Sequence, residues 1–129
     1  MDRMLISSGS PWESQVGYSR AVRVGQTVYI AGTTSTDKNG DVMGEGDPYE
    51  QTIQIYKKME RVMISAGGGL RHVVRTRVYL TNIDDWQEGG RAHKELMGNI
   101  MPAMTLVEVS KLIDPKMLVE IEAEAYINE

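Results

Sequence analysis

The sequence predicts an α+β domain in which two helices cover one face of a single sheet. Three observations support this. The segment Met117–Ile127 alternates between apolar and polar side chains, which is the period of a strand with one apolar face. Residues 48–66 and 85–97 have apolar side chains at helical spacing. Strand-like runs around these segments complete the order β-β-α-β-α-β-β, and helices sharing one sheet face form an α+β layer.

The size and composition of the chain limit the class of protein to which it can belong. With 129 residues, a single domain over 1–129 is expected. The chain has no cysteine, which excludes disulfides, thiolate nucleophiles and sulfur-bound zinc. The net charge of -4 opposes binding to a phosphate backbone, so no nucleic-acid partner is expected. We find no signal peptide or membrane-spanning segment, and expect a cytoplasmic protein with no membrane partner.

The first part of the chain is expected to form strands. Met4–Ser7 fits a short edge strand, and Ser8–Gly17, which is rich in Gly, Ser and Pro, fits a loop. Tyr18–Val24 and Gln26–Ala31 are strand-like runs on either side of Gly25. They therefore predict a hairpin.

Both helices have identifiable limits. Asp47 is a favourable N-cap, Pro48 suits the first helical position and Glu50 lies three residues beyond the cap. The first helix is therefore expected from Pro48 to about Ala66. The second is expected over Asp85–Met97.

Three further strands are expected. Between the helices lies Val73–Leu80, where alternation places Val74 on the apolar face and Val73 on the other. After the helices come Met104–Val109 and Met117–Ile127.

The last strand carries a row of glutamates, Glu120, Glu122 and Glu124, on one face. Like charges at this spacing repel, so we expect Arg75 and Arg77 to pair with them from an adjacent strand. The same sheet face carries several tyrosines, and tyrosine and arginine are enriched at interfaces. We therefore expect this face to pack against other subunits.

Other kinds of site find little support. The two histidines, His72 and His93, have no ligand spacing, so no metal site is expected. His72 is expected to be exposed and His93 to pack. No serine lies in a nucleophile elbow, and no glycine run has a phosphate-binding pattern, so no cofactor is expected.

Several short motifs occur in one order along the chain. They are Gly17-Tyr18-Ser19-x-Ala21-Val22, residues 28–32 (VYIAG), Pro102-Ala103-x-Thr105, residues 107–109 (VEV) and residues 119–123 (VEIEA). In this order they resemble the RidA/YjgF/YER057c/UK114 family, some of whose members are labelled endoribonuclease L-PSP. The resemblance covers nearly the whole chain.

The resemblance implies a chorismate-mutase-like fold and a homotrimer. In such a trimer the sheets form a central barrel, the helices lie outside, and small organic ligands bind in clefts between subunits. It also implies hydrolysis of a reactive imine or enamine without a cofactor, with Glu120 positioning water as the catalytic residue. The substrate-binding positions that it implies are Tyr18, Gly32, Thr33, Met104, Thr105 and Arg91.

Three positions depart from the deaminase branch of that family: Ala31 stands where a serine is common, Gly90 falls where an asparagine is expected, and position 104 differs most in its chemistry. Where that branch has an arginine that binds the substrate carboxylate, this chain has Met104. A thioether cannot replace the planar fork of arginine. We therefore expect a less polar or uncharged ligand. Arg91, on the second helix, is considered as a substitute, although an ordinary solvated helix charge is the simpler interpretation.

Three functions therefore remain open. The first is an imine or enamine deaminase with a non-standard substrate. The second is a ligand-binding or regulatory protein without turnover, which fits Met104 equally well. The third, a ribonuclease or translation inhibitor, is disfavoured because the chain is acidic and lacks a His/Lys constellation.

Overall fold

A computed structural model describes residues 2–128. Within this range the chain forms one sheet of six strands together with three α-helices. Their bounds are β1 Arg3–Ile6, α1 Pro11–Val16, β2 Ala21–Val24, β3 Thr27–Thr33, α2 Pro48–Ser65, β4 Val73–Leu80, α3 Trp86–Met97, β5 Ala103–Glu108 and β6 Val119–Tyr126. No helix among the described residues is long and apolar enough to cross a membrane.

The sheet has the strand order β1-β2-β3-β6-β4-β5. Neighbouring strands are antiparallel, except for β4 and β5, which are parallel. The C-terminal strand β6 thus lies between β3 and β4, near the centre of the sheet. This confirms that the strand with the arginines, β4, is adjacent to the strand with the glutamates.

The core lies between the sheet and the two long helices. Alternate side chains of β6, among them Val119 and Ile121, are fully buried. They pack in one apolar cluster with Ile55, Met59 and Met63 of α2. The α+β prediction is confirmed. Methionine takes core positions that phenylalanine, absent from this chain, often fills.

The segment between β1 and β2 differs from the prediction. A loop was expected over Ser8–Gly17, but Pro11–Val16 form the short helix α1. Ser10 caps it by accepting a hydrogen bond from Trp12 N (3.3 Å), and Pro11 occupies the first position. Gly17 ends it in the left-handed conformation, with φ 94°.

A bulge also changes the faces at the start of β4. Val73 is opposite Ala125, but the next pair joins Arg75 to Glu124, so Val74 has no counterpart on β6. As a result Val73 is 3% exposed and Val74 is 52% exposed. The predicted face assignment of these two valines was therefore wrong, because the alternation is interrupted there.

The sheet face opposite the helices is uncovered in the single chain. It carries several apolar and aromatic side chains that are at least a third exposed. They are Leu5, Tyr29, Val74, Val107 and Tyr126.

Candidate active site

Glu120 lies on β6 and faces away from the core. Its neighbours in sequence, Val119 and Ile121, are buried, while Glu120 itself is half-buried. Burial raises the pKa of Glu120 above its ordinary value; Arg20 opposes the shift and Glu122 adds to it. A carboxyl with a raised pKa binds and releases protons closer to neutral pH than an exposed one.

The carboxylate of Glu120 packs against Gly32 of β3. A Cβ atom at Gly32 would overlap Oε2 of Glu120 and stand 3.0 Å from its Cδ. The register of β3 on β6 shifts between Ile30 and Thr33, so the backbone bulges at this point. Only a residue without a side chain leaves room for the carboxylate here.

Thr33, the next residue, turns into the core. It is 1% exposed, and its Oγ1 donates to the carbonyl oxygen of Ala31 (2.8 Å). Its side chain is therefore occupied within the chain. A contact between Thr33 and a substrate, as the family resemblance implies, would go through its backbone.

Arg20 was missed in the sequence, although it lies beside Glu120 and Gly32. It is 7% exposed, and its Nη2 donates to the carbonyl oxygen of Gly32 (2.5 Å). The guanidinium carbon lies 5.6 Å from the centre of the Tyr18 ring. Its position in the sequence is the variable one of the 17–22 motif. From the sequence alone, a buried arginine just before a strand cannot be distinguished from a solvated one.

Lys58 of α2 adds a second cation near this end of β3. Its Nζ donates to the carbonyl oxygen of Thr34 (2.6 Å) and to Oγ1 of Thr36 (3.0 Å). Burial lowers the pKa of Lys58 to about 8, and the positive charge of Arg20 contributes to the shift. The helical pattern in the sequence shows only that Lys58 lies off the apolar face.

Tyr18 is held by the C-terminal end of α1. Its backbone N–H donates to the carbonyl oxygen of Glu13 (3.0 Å). The Glu13 side chain accepts hydrogen bonds from Ser7 Oγ (2.8 Å) and Ser8 Oγ (2.5 Å). Burial alone would raise the pKa of Glu13, but these hydrogen bonds and the charge of Arg20 lower it. The short helix thus positions Tyr18 beside Arg20.

An open groove of about 720 Å³ runs along the uncovered sheet face next to this group. Its walls include Tyr18, Tyr29, Ala31 and Glu122. Glu120 and Arg20 are not among the walls. The groove is adjacent to them: its wall includes Tyr18, whose ring lies beside Arg20, and Ala31, which immediately precedes Gly32.

Met104 and Thr105 lie apart from this group in the single chain. They are on the edge strand β5, which is separated from β3 by β4 and β6. Three strand spacings amount to roughly 14 Å. Met104 is exposed, and Oγ1 of Thr105 accepts a hydrogen bond from Arg75 Nη2 (3.0 Å).

Arg91 also lies elsewhere, on the outer surface of α3. Its Nη2 contacts Glu88 Oε2 at 2.7 Å, and Nη1 lies 3.8 Å from Glu95 Oε1. Its guanidinium stacks on the ring of Tyr49, 3.8 Å from the ring centre. These contacts fit the simpler interpretation of Arg91 as a surface charge.

The other two glutamates of β6 are engaged with β4. Arg77 Nη1 lies 3.0 Å from Glu124 Oε1 and 3.5 Å from Glu122 Oε2. The Tyr79 hydroxyl donates a short hydrogen bond to Glu122. The expected pairing of Arg77 with the glutamates is confirmed, whereas Arg75 contacts Thr105. Glu120 is therefore the carboxylate of the row without such a partner among residues 2–128.

Both histidines contact other groups of the fold, His72 from a buried position and His93 from a half-buried one. His72 is buried, contrary to the expectation that it is exposed, and its Nδ1 accepts from Gly69 N (3.1 Å). His93 Nδ1 lies 2.7 Å from the Tyr56 hydroxyl. In the described part of the chain, no three acidic or histidine side chains gather as a metal site would require.

Comparison with known proteins identifies relatives over nearly the full length. The family model described as Endoribonuclease L-PSP matches residues 9–127. An uncharacterized protein of Streptomyces coelicolor is 45% identical over 122 residues, covering 94% of this chain and 90% of the relative. A human protein named 2-iminobutanoate/2-iminopropanoate deaminase is 33% identical over 124 residues, covering 95% and 89%.

The fold is shared with solved structures. A crystal structure of a YjgF/YER057c/UK114 family member from Mycobacterium tuberculosis is 46% identical and superposes with a TM-score of 0.89. The match covers 98% of this chain and all of that one (100%). The chain therefore belongs to the Endoribonuclease L-PSP family, also called the YjgF/YER057c/UK114 family.

Proposed function

We propose that this protein hydrolyses a small imine or enamine, with Glu120 positioning the attacking water. The observation that carries the proposal is the half-buried carboxylate of Glu120, packed on Gly32 and without an ion-pair partner among residues 2–128. The human deaminase among the relatives supports this class of reaction.

The chemistry requires one group that accepts and returns a proton. Water adds to the carbon of the C=N bond, and the Glu120 carboxylate takes the proton that the water loses. The protonated Glu120 passes this proton to the nitrogen, which completes a neutral tetrahedral carbinolamine. In its collapse, the Glu120 carboxylate takes the hydroxyl proton as the carbonyl forms and gives it to the nitrogen, which departs as ammonia. The net reaction consumes one imine and one water, and it releases one carbonyl compound and one ammonia.

We place the complete cleft between copies of the chain. Met104 and Thr105 are separated from Gly32 by two strands within one chain, and the uncovered sheet face offers a surface on which another copy can bring its β5 near Glu120. Whatever substrate the cleft takes, Met104 does not bind its carboxylate, so the substrate contacts differ from those of an enzyme with arginine at this position.

The test is ammonia release from imines generated in situ. The imine of 2-aminobutanoate is produced by an amino-acid oxidase, and wild type is compared with Glu120→Gln. Because acid–base groups contribute about 10²–10⁴-fold, we expect Glu120→Gln to lose at least about a hundredfold in rate. The control is Glu60→Gln, an exposed glutamate on α2, which should retain full activity.

The pH profile is a second readout of the same residue. Glu120 must be ionised to accept a proton, and burial raises its pKa. The rate should therefore fall on acidification at a pH above the ordinary carboxyl value, and this limb should be absent from any residual rate of Glu120→Gln. If wild type shows no rate above buffer with charged or uncharged imines, a binding protein without turnover replaces the proposal.

A further inference from the structure

We propose that Arg20 selects the substrate of this reaction by binding the carboxylate of an anionic imine. The inference rests on the proposed function and names its substrate class. It replaces the expectation of an uncharged ligand, which considered position 104 alone.

Most of the N–H donors of Arg20 have no acceptor among residues 2–128. Of its three guanidinium nitrogens, Nη2 donates to Gly32, and Nε is buried without a partner. Nη1 makes no hydrogen bond to residues 2–128 and is not wholly buried. Arginine has five N–H donors, and buried donors without acceptors carry a desolvation cost. A ligand with paired acceptor oxygens that reaches this guanidinium would relieve that cost.

The local charge also favours an anion. Among the described residues, no carboxylate lies within 4.0 Å of Arg20, and the ammonium of Lys58 adds a second partly buried cation. Glu13 already accepts three hydrogen bonds from Ser7 and Ser8. Asp37 acts on Lys58 rather than on Arg20. Glu120 is the remaining carboxylate whose pKa is affected by Arg20. A bound carboxylate would supply the direct ion-pair partner that Arg20 lacks among residues 2–128 and leave Glu120 available for water.

The geometry restricts the kind of carboxylate. Arg20 contacts the carbonyl oxygen of Gly32, and Glu120 packs against the α-carbon of the same residue. In a 2-imino acid, the imine carbon is bonded directly to the carboxylate carbon. A carboxylate held by Arg20 therefore brings the reacting carbon close to Glu120, which a longer spacing between acid and imine would not do.

The test compares two imines that differ only in the carboxylate. One is made from 2-aminobutanoate by an amino-acid oxidase, and the other from propylamine by an amine oxidase. In Arg20→Gln we expect kcat/KM for the charged imine to fall about ten- to hundredfold more than kcat/KM for the uncharged imine. Arg20→Lys keeps the charge but not the fork, so it should recover part of the loss.

The results distinguish a failure of this inference from a failure of the proposed function. Equal losses on both imines would mean that Arg20 is structural, and would overturn the inference. If wild type hydrolyses neither imine, the proposed function fails, and calorimetry then compares 2-oxobutanoate with its amide. Binding of the acid alone, lost in Arg20→Gln, would uphold the carboxylate site; equal binding of acid and amide would reject it.

Circular dichroism and thermal melting check that each variant is folded. If Arg20→Gln does not fold, the inference is tested with Arg20→Lys instead. The binding of acid and amide is then compared on the unmodified protein. A preference for the acid that is unchanged in a folded Arg20→Lys would also count against arginine-specific binding.

Discussion

The backbone of β3 passes so close to Glu120 that residue 32 controls the position of the carboxylate. A methyl group at Gly32 would overlap Oε2 of Glu120, so Gly32→Ala must displace that side chain. We expect the rate of imine hydrolysis to fall about a hundredfold, since a displacement of about 1 Å can have that effect. Ammonia release and the melting temperature are measured on the same sample.

A matched control separates the clash from a general effect of alanine. At Gly89, in α3, a Cβ would meet only Thr52 Oγ1, at 3.7 Å, which is ordinary contact. Gly89→Ala should keep full activity and gain about 1 kcal/mol of stability, because alanine favours a helix over glycine. Retained activity in Gly32→Ala would show that hydrolysis does not depend on this position of Glu120.

At the scale of single residues, the sequence could identify Glu120 and Gly32 but not Arg20. The two identified residues lie in family motifs. Arg20 occupies a variable motif position, and nothing local indicates that it becomes 7% exposed. Its burial depends on α1, β3 and α2 meeting around it. Only the tertiary structure shows that these three elements surround Arg20.

At the scale of elements, the capping of α2 supports a direct prediction. Asp47 Oδ1 accepts a hydrogen bond from Glu50 N (3.1 Å), which satisfies one free N–H of the first helical turn. Asp47→Ala should lower the free energy of unfolding by about 1 kcal/mol, measured by urea denaturation. Asp47→Asn keeps an acceptor and should be close to wild type. An alanine variant as stable as the asparagine variant would contradict the role of the cap.

Long elements were predictable because their signals repeat. The strand Val73–Leu80 was predicted with its observed bounds, and α2 begins at the predicted Pro48. Helix α1 has six residues, too few for a periodic pattern, although Ser10-Pro11 and Gly17 are start and stop signals that were available. The bulge at Val74 had no such signal, because it is defined by the register with β6.

At the scale of the whole molecule, the uncovered sheet face needs an explanation. Exposed Tyr29, Val107 and Tyr126 share this face with the Arg77 ion pairs, and contiguous apolar surface of this kind marks interaction sites. The fold of one chain also leaves Met104 remote from Glu120. Both facts are explained if copies of the chain pack through this face, as the expected homotrimer would.

The assembly is tested by placing a charge on that face. We expect wild type to sediment with about three times the 14.4 kDa mass of one chain. Val107, 41% exposed on β5, would be buried by a neighbour, so Val107→Glu should shift the mass towards that of one chain, because an unpaired buried charge is costly. Ile64, 63% exposed on α2, lies on the helix side, and Ile64→Glu should leave the mass unchanged.

If Val107→Glu also abolishes imine hydrolysis while circular dichroism shows a folded chain, the active site requires more than one copy. A monomeric Val107→Glu with full activity would instead place the whole site within one chain, next to Arg20 and Gly32.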